Sequence, residues 1–180
     1  IYLRHNTGHG KATVADALAQ TCNVYFFHNS TKLGPDPLVD WALRFGFARP
    51  TGVDLPGEAA GIVPTPGSIE YLERHRWRPG DTQALAIGQG SLTATPLQVA
   101  RLIAAIANGG RLVTPHVVQQ IRDCELGDEE SSFTEQPVEI PPPRPIDGLH
   151  PSTLATIRRG LEQSVSDPKG TAHGTVYLEA

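Results

Sequence analysis

Apolar residues recur every three to four positions along several stretches of this chain, each bounded by residues that start or stop helices. The first stretch is residues 13–20, where Thr13 stands as an N-cap with Asp16 three residues on, the spacing of a capping box. A second, about 23–32, is apolar around Val24, Phe26 and Phe27, and Gly34 ends it. In the third, Asp36 reads as the N-cap and Pro37 as the first helical residue. Leu38, Trp41, Ala42 and Phe45 then form one stripe before Gly46. Thr95-Pro96 opens a helix whose buried face is expected at Val99, Leu102, Ile103 and Ile106, and Asn108-Gly109-Gly110 closes it. A last amphipathic helix is expected over about 151–165, aligning Leu154, Ile157, Leu161 and Val165.

The intervening segments carry a different pattern. Residues 48–79 are dense in turn pairs, including Pro50-Thr51-Gly52, Pro56-Gly57 and Pro66-Gly67, and read as loop. Residues 111–122 are rich in Val and Ile and predict strand, broken by Pro115. Residues 125–145 are acidic, then proline-rich, and predict an exposed excursion. No internal repeat is present. Helix with sparse strand suggests a sheet completed by sequence outside the chain.

Composition narrows the function classes. The 180 residues suffice for one domain with its own core. A formal net charge of −4 and the lack of any basic run argue against nucleic acid as a partner. The two cysteines, Cys22 and Cys124, are too few for a disulfide framework and fit no zinc-finger spacing. No run approaches the roughly 20 apolar residues that span a bilayer. The chain contains no methionine, not even an initiator, so an internal piece of a longer protein is expected.

Chemistry first suggests itself at Thr21-Cys22-Asn23, between two predicted helices. A hydroxyl and a carboxamide two residues apart can face one cleft if the backbone turns between them; the hydroxyl can relay a proton and the amide can hold a donor and an acceptor. A helix cap is the competing reading of the same residues.

The surrounding blocks change the weighting. Gly8-His9-Gly10 followed by Ala17-Leu18-Ala19-Gln20-Thr21-Cys22-Asn23-Val24-Tyr25-Phe26-Phe27 resembles the second active-site motif of penicillin-binding transpeptidases. Phe45-Gly46-Phe47, then Thr51-Gly52-Val53-Asp54-Leu55-Pro56 with Glu58 and Gly61, is similar to the family's next segment. Gly80-Asp81-Thr82, Ala86-Ile87-Gly88-Gln89-Gly90 and Thr93-Ala94-Thr95-Pro96-Leu97-Gln98 give the most specific match, joined by Ala107-Asn108-Gly109-Gly110. Pro168-Lys169-Gly170-Thr171-Ala172 resembles the turn before the family's last motif. The blocks fall in the family's order, and the Gly-His-Gly and Gly-Asp-Thr segments point to the elongation-type class B enzymes.

This resemblance implies an α/β fold of the serine penicillin-recognising (β-lactamase/transpeptidase-like) type, here mostly its helical portion and incomplete. It implies D,D-transpeptidation: a serine activated by the lysine of a Ser-x-x-Lys motif attacks the penultimate D-alanine carbonyl of a stem peptide, and an amine from a neighbouring strand resolves the acyl-enzyme. β-Lactams acylate the same serine. The family's Ser-x-Asn motif maps its hydroxyl to Thr21 and its carboxamide to Asn23; threonine in place of serine keeps Oγ but adds a methyl that stiffens χ1. Stem peptides and β-lactams are the implied ligands, no cofactor is implied, and a glycosyltransferase of the elongation machinery is the implied partner. The implied location is the periplasm, anchored to the inner membrane by a segment outside this chain.

Residues 1–180 are thus expected to form part of a transpeptidase domain without its Ser-x-x-Lys and Lys-Thr-Gly motifs, inactive alone and forming no covalent penicillin adduct. Ser166-Asp167-Pro168-Lys169 spells Ser-x-x-Lys, but Pro168 disfavours helix at Asp167 and so separates Ser166 from Lys169. Lys169-Gly170-Thr171 is not Lys-Thr-Gly, whose strand is expected just past Ala180. His9 and Cys22 are a conceivable metal pair, but Leu3 stands where a further ligand would be expected, and two ligands do not close a tetrahedral site; no metal is assigned. Gln89 is read as backbone between glycines that permit close packing, Trp41 as core, and Trp77 as a loop anchor. A non-catalytic sensor or scaffold, and a D,D-carboxypeptidase or β-lactamase-type hydrolase, are the alternatives.

Overall fold

A computed structural model of the chain describes residues 10–72, 76–124 and 133–176. Helix α1 (Val14–Ala19) opens with the expected capping box: the Thr13 hydroxyl and N–H donate to Asp16 Oδ2 at 2.7 and 2.8 Å, and Asp16 N donates back to Thr13 Oγ1 at 3.2 Å. These bonds from Thr13, its side chain above all, hold the Asp16 carboxyl below the usual carboxylate range. Helix α2 (Asn23–Leu33) runs to Gly34, and α3 (Pro35–Arg44) starts at once. The helix starts two residues before the expected Asp36-Pro37. Gly34, at φ 80°, caps both helices, and Pro35 takes the first position, where its missing N–H costs nothing; Asp36 lies in the first turn, where its charge suits the helix dipole.

Two helices lie in segments outside the predicted set, α4 (Pro66–Leu72) and α5 (Pro79–Ala86). Thr65 N donates to Ser68 Oγ at 2.8 Å and Ser68 N to Thr65 Oγ1 at 3.1 Å, a reciprocal cap on α4. Arg78 N donates to Asp81 Oδ2 at 2.7 Å on α5. Pro-Gly is a turn signal, but proline also favours the first position of a helix.

Helix α6 (Pro96–Ala107) has the expected Thr95 cap, closed by Gln98 three residues on. Its buried face is only partly the expected one: Leu102 and Ile106 are half-buried. Val99 and Ile103 are 45% and 51% exposed, whereas Gln98, Arg101 and Ala105 point inward, Gln98 at 2% and Arg101 at 6% exposure. Ala105 packs into the apolar core, while Gln98 and Arg101 serve backbone polar groups of the preceding loop. Gln98 Nε2 donates to Arg49 O and Ala60 O, both at 2.8 Å, and its Oε1 accepts from Thr95 N at 2.9 Å. Arg101 Nη1 donates to Thr51 O at 3.2 Å, its guanidinium lying against Gly46 where a Cβ would collide with Nη2. Burial lowers the Arg101 pKa, Arg144 adds repulsion, and Glu58 opposes both.

The rest of this loop is pinned by carboxylates. Glu58 accepts from Thr51 N at 2.7 Å and Gly52 N at 3.1 Å, and Asp54 from Val117 N and Val118 N, both at 2.8 Å. Replacing Gln98 with leucine is therefore expected to leave two carbonyls without their donor and cost about 3 kcal/mol, at roughly 1–3 kcal/mol per orphaned group. Urea denaturation of the full-length protein checks this; a loss under 1 kcal/mol would show that the loop satisfies itself otherwise.

Strand content is small. β1 (Arg111–Leu112) pairs antiparallel with β4 (Arg144–Pro145), and β2 (Gln120–Cys124) with β3 (Phe133–Pro137), Gln120 opposite Pro137. The expected strand over 111–122 is thus split around Pro115. The expected excursion over 125–145 contains two strands, although residues 141–145 are exposed as anticipated. Helix α7 (Pro151–Ser166) crosses α1. Leu154 is buried, but Leu161 is 39% exposed, because Gly160 takes the crossing point: a Cβ there would lie 2.8 Å from Leu18 Cβ. Helix α8 (His173–Val176) follows a short turn.

Among the described residues, two apolar clusters form the core. One gathers Val39, Val63 and Leu85 with Leu38, Ala42, Leu43 and Trp77; the other gathers Ala105, Leu112 and Ile146 with Trp41 and Phe45. Helix α3 joins them, since its wide stripe feeds both.

Candidate functional site

Helix α1 ends in a doubly bonded left-handed turn. Cys22 N donates to Ala17 O at 2.8 Å and Thr21 N to Leu18 O at 3.3 Å, the two bonds of a Schellman motif. Thr21 occupies the left-handed position, with φ 51°. Helices α3 and α5 close with the same pair of bonds, and there the position is held by Gly46 and Gly88. Glycine enters this region freely, whereas a β-branched residue is a genuine outlier costing of the order of 1–2 kcal/mol. The fold therefore tolerates strain at Thr21 that it avoids at every equivalent turn named here. Such strain directs attention to what the side chain does.

The Thr21 hydroxyl does not cap α2. The N-cap of α2 is Cys22, whose side chain makes no capping bond, and Asn23 is already in the first turn. Thr21 Oγ1 instead lies 2.8 Å from Thr171 Oγ1, across 150 residues of sequence. Thr171 sits on the turn between α7 and α8, and its N–H donates to Ala19 O at 3.0 Å. It is a contact that sequence reasoning missed. The only signal was that Thr171 lay in one of the blocks that carried the resemblance.

Thr21 and Asn23 open onto one recess of about 270 Å³, walled by Ala17, Leu18, Phe26, Ala86 and Ile87. Both polar residues are exposed to solvent. The wall residues Ala86 and Ile87 come from the end of α5, so the α2–α5 packing, tied by Gln83 Nε2 to Thr31 Oγ1 at 3.2 Å, sets the width of the recess. A hydroxyl and a carboxamide against apolar walls can orient an amide and exchange hydrogen bonds with an amine.

The same arrangement of elements recurs in known proteins. Residues 2–179 match the family model described as the penicillin binding protein transpeptidase domain. The chain belongs to this family. One relative in sequence is the peptidoglycan D,D-transpeptidase MrdA of Acinetobacter baumannii, 41% identical over 113 residues, covering 63% of this chain and 17% of the relative. MrdA of Escherichia coli K12 is 30% identical over 166 residues, covering 92% of this chain and 25% of the relative. The chain thus spans a quarter or less of these relatives.

Among solved structures, penicillin-binding protein PBP2 of Helicobacter pylori in complex with MreC superposes with a TM-score of 0.78 at 31% identity, over 95% of this chain and 29% of that one. Pseudomonas aeruginosa PBP2 in complex with WCK 5153 gives 0.77 at 31%, over 94% and 36%. The class B, elongation-type membership and the serine penicillin-recognising fold both stand.

Within this transpeptidase fold the remaining residues fall into place. Helix α7 stops at Ser166, and Asp167 is extended at ψ 133°, so Ser166 and Lys169 share no helical face. Ser166 Oγ donates to Glu162 O at 3.0 Å. Cys22 carries a free, half-buried thiol; His9 and Leu3 lie outside the described residues, among which no cluster of three metal-binding side chains occurs. Gly90 packs tightly, its would-be Cβ 3.2 Å from Ala84 Cβ, and Gln89 N closes the α5 turn on Ala84 O, which favours packing over catalysis for that block. Trp77 is the expected anchor, donating from Nε1 to the buried Thr82 Oγ1 at 2.7 Å. Trp41 packs half-buried against Ala105, Leu112 and Ile146, with the Arg44 guanidinium 5.2 Å over its ring.

Proposed function

We propose that this chain is the central part of a peptidoglycan D,D-transpeptidase domain, acting in cell-wall elongation and acylated by penicillin. The match of the family model across residues 2–179 is the observation that carries the reading. In it, a serine activated by its lysine, both supplied by the longer polypeptide, attacks the penultimate D-alanine carbonyl of a stem peptide; the bond to the terminal D-alanine breaks, and that residue leaves as the acyl-enzyme forms. Thr21 takes part in proton transfer at that centre, and Asn23 holds the peptide amide. A solvent-open recess with apolar walls and these two polar groups supports those roles.

The wider assembly belongs to the same proposal. A glycosyltransferase of the elongation machinery is the partner, in line with a related structure described as coordinating polymerization and crosslinking in a peptidoglycan synthase complex. No described helix is long and apolar enough to cross a membrane; the proposal places the domain in the periplasm, held by an anchor elsewhere in the polypeptide.

The test is to incubate the full-length protein with a fluorescent penicillin and locate the adduct. Covalent label on a serine outside residues 1–180, with residues 1–180 alone unlabelled, is the expected result. A folded full-length protein that takes no label would overturn acyl transfer in favour of a scaffold. Label with hydrolysis of stem peptides and no cross-linked product would replace transpeptidation by hydrolysis.

A further inference from the structure

The donor in the Thr21–Thr171 contact is set by where the Thr171 hydroxyl proton goes. Thr171 Oγ1 lies 3.2 Å from Ala19 O, positioned to donate to it, and 2.8 Å from Thr21 Oγ1. A hydroxyl has one proton to give and lone pairs to accept with, while a carbonyl can only accept. If the Thr171 proton sits on Ala19 O, the proton between the two hydroxyls is that of Thr21. We infer that Thr171 is a positioning residue: it accepts the hydrogen bond that the Thr21 hydroxyl donates and leaves the Thr21 lone pairs facing the recess, ready to accept from an amine or ammonium N–H.

Thr171 is well held for this task. Its own N–H donates to Ala19 O at 3.0 Å, Ala172 N donates to Ser164 O at 2.9 Å, and Gly170 N to Asp167 O at 2.7 Å. Ala19 O is one of the last-turn carbonyls of α1 that the helix itself leaves without a donor. The turn between α7 and α8 thus completes the C-terminus of α1 and orients the next hydroxyl in one step. It also helps to stabilise the left-handed Thr21 backbone that aims Oγ1 away from α2.

The inference rests on the acyl-transfer reading above, and its test separates the two. Fluorescent penicillin acylation of the full-length protein is resolved into reversible binding and the acylation rate constant, for wild type, Thr171→Val and Thr171→Ser, with melting temperatures alongside. Thr171→Val is expected to slow acylation about tenfold or more while reversible binding changes less than about threefold. Thr171→Ser, which keeps the hydroxyl, should restore the rate to within about threefold of wild type. Wild-type labelling with Thr171→Val equally fast would overturn the positioning role alone. So would Thr171→Ser as slow as Thr171→Val, since the methyl group would then be what matters. If Thr171→Val melts early, Thr171→Ala supplies the same comparison. A wild-type protein that takes no label would sink both readings.

Discussion

Thr21→Val in the full-length protein is expected to lower the rate of penicillin acylation about a hundredfold, the scale of a lost proton-transfer group. Valine keeps the size and β-branching of threonine, so the left-handed strain stays and only the hydroxyl goes. The stability cost should be small, about 1 kcal/mol for the lost bond to Thr171. Thr21→Ser should acylate within a few-fold of wild type, because the oxygen remains. Thr21→Gly is the more telling control. Glycine relieves roughly 1–2 kcal/mol of backbone strain and forfeits a bond of similar worth, so the fold should be nearly as stable as before while acylation falls as far as in the valine variant. Acylation rates set against melting temperatures decide the matter: full activity in either Thr21→Val or Thr21→Gly would remove Thr21 from the chemistry.

Gly170→Ala is the substitution expected to damage the fold most. A Cβ there would meet backbone, not a movable side chain: the Gln163 and Ser164 carbonyl oxygens and the Ser164 carbonyl carbon, the last at 2.6 Å. Those atoms end α7 and cannot retreat without unwinding its last turn. A loss of about 3 kcal/mol is expected, at the upper end for overpacking, with displacement of Thr171 and slowed acylation as the consequence. Gly174, four residues on within α8, has nothing within 4 Å of its would-be Cβ. Gly174→Ala should therefore be neutral or stabilising by about 0.5 kcal/mol through helix propensity. Parallel thermal melts make the comparison, and equal melting temperatures for the two variants would mean that the turn is softer than its geometry implies.

The two experiments bear on one structural idea. The α1–α7 crossing, made close by Gly160, and the turn at Gly170 bring the two ends of the described chain together at Thr21. Damage at Gly170 should reach the site through Thr171, whereas damage at Thr21 should leave the fold intact. Activity lost with stability in one case, and without it in the other, distinguishes the scaffold from the chemistry.

Local signals in the sequence were read well where physics is local. A capping residue and its partner lie three positions apart, so the Thr13–Asp16 and Thr95–Gln98 boxes were visible, as were the Gly34 and Asn108-Gly109-Gly110 stops. The order of the blocks along the chain sufficed for the family, and Pro168 for discarding the Ser166 decoy. Helices α4 and α5 were hidden because Pro-Gly opens a helix as readily as it makes a turn, and only later packing chooses between them. The inward face of α6 escapes periodicity, which counts only apolar residues. Gln98 and Arg101 are buried by the carbonyls of residues 49, 51 and 60, which lie some 38 to 50 positions away. Thr21 was found by its neighbours in sequence, but its left-handed backbone and its bond to Thr171 exist only once α1 and α7 have packed. Sequence alone determined the helices with nearby caps and the family, and it singled out Thr21 and Asn23 as candidates. Tertiary structure alone decided which faces are buried, where the recess opens and which residue the Thr21 hydroxyl meets, because contacts across 150 residues depend on packing that no local pattern encodes.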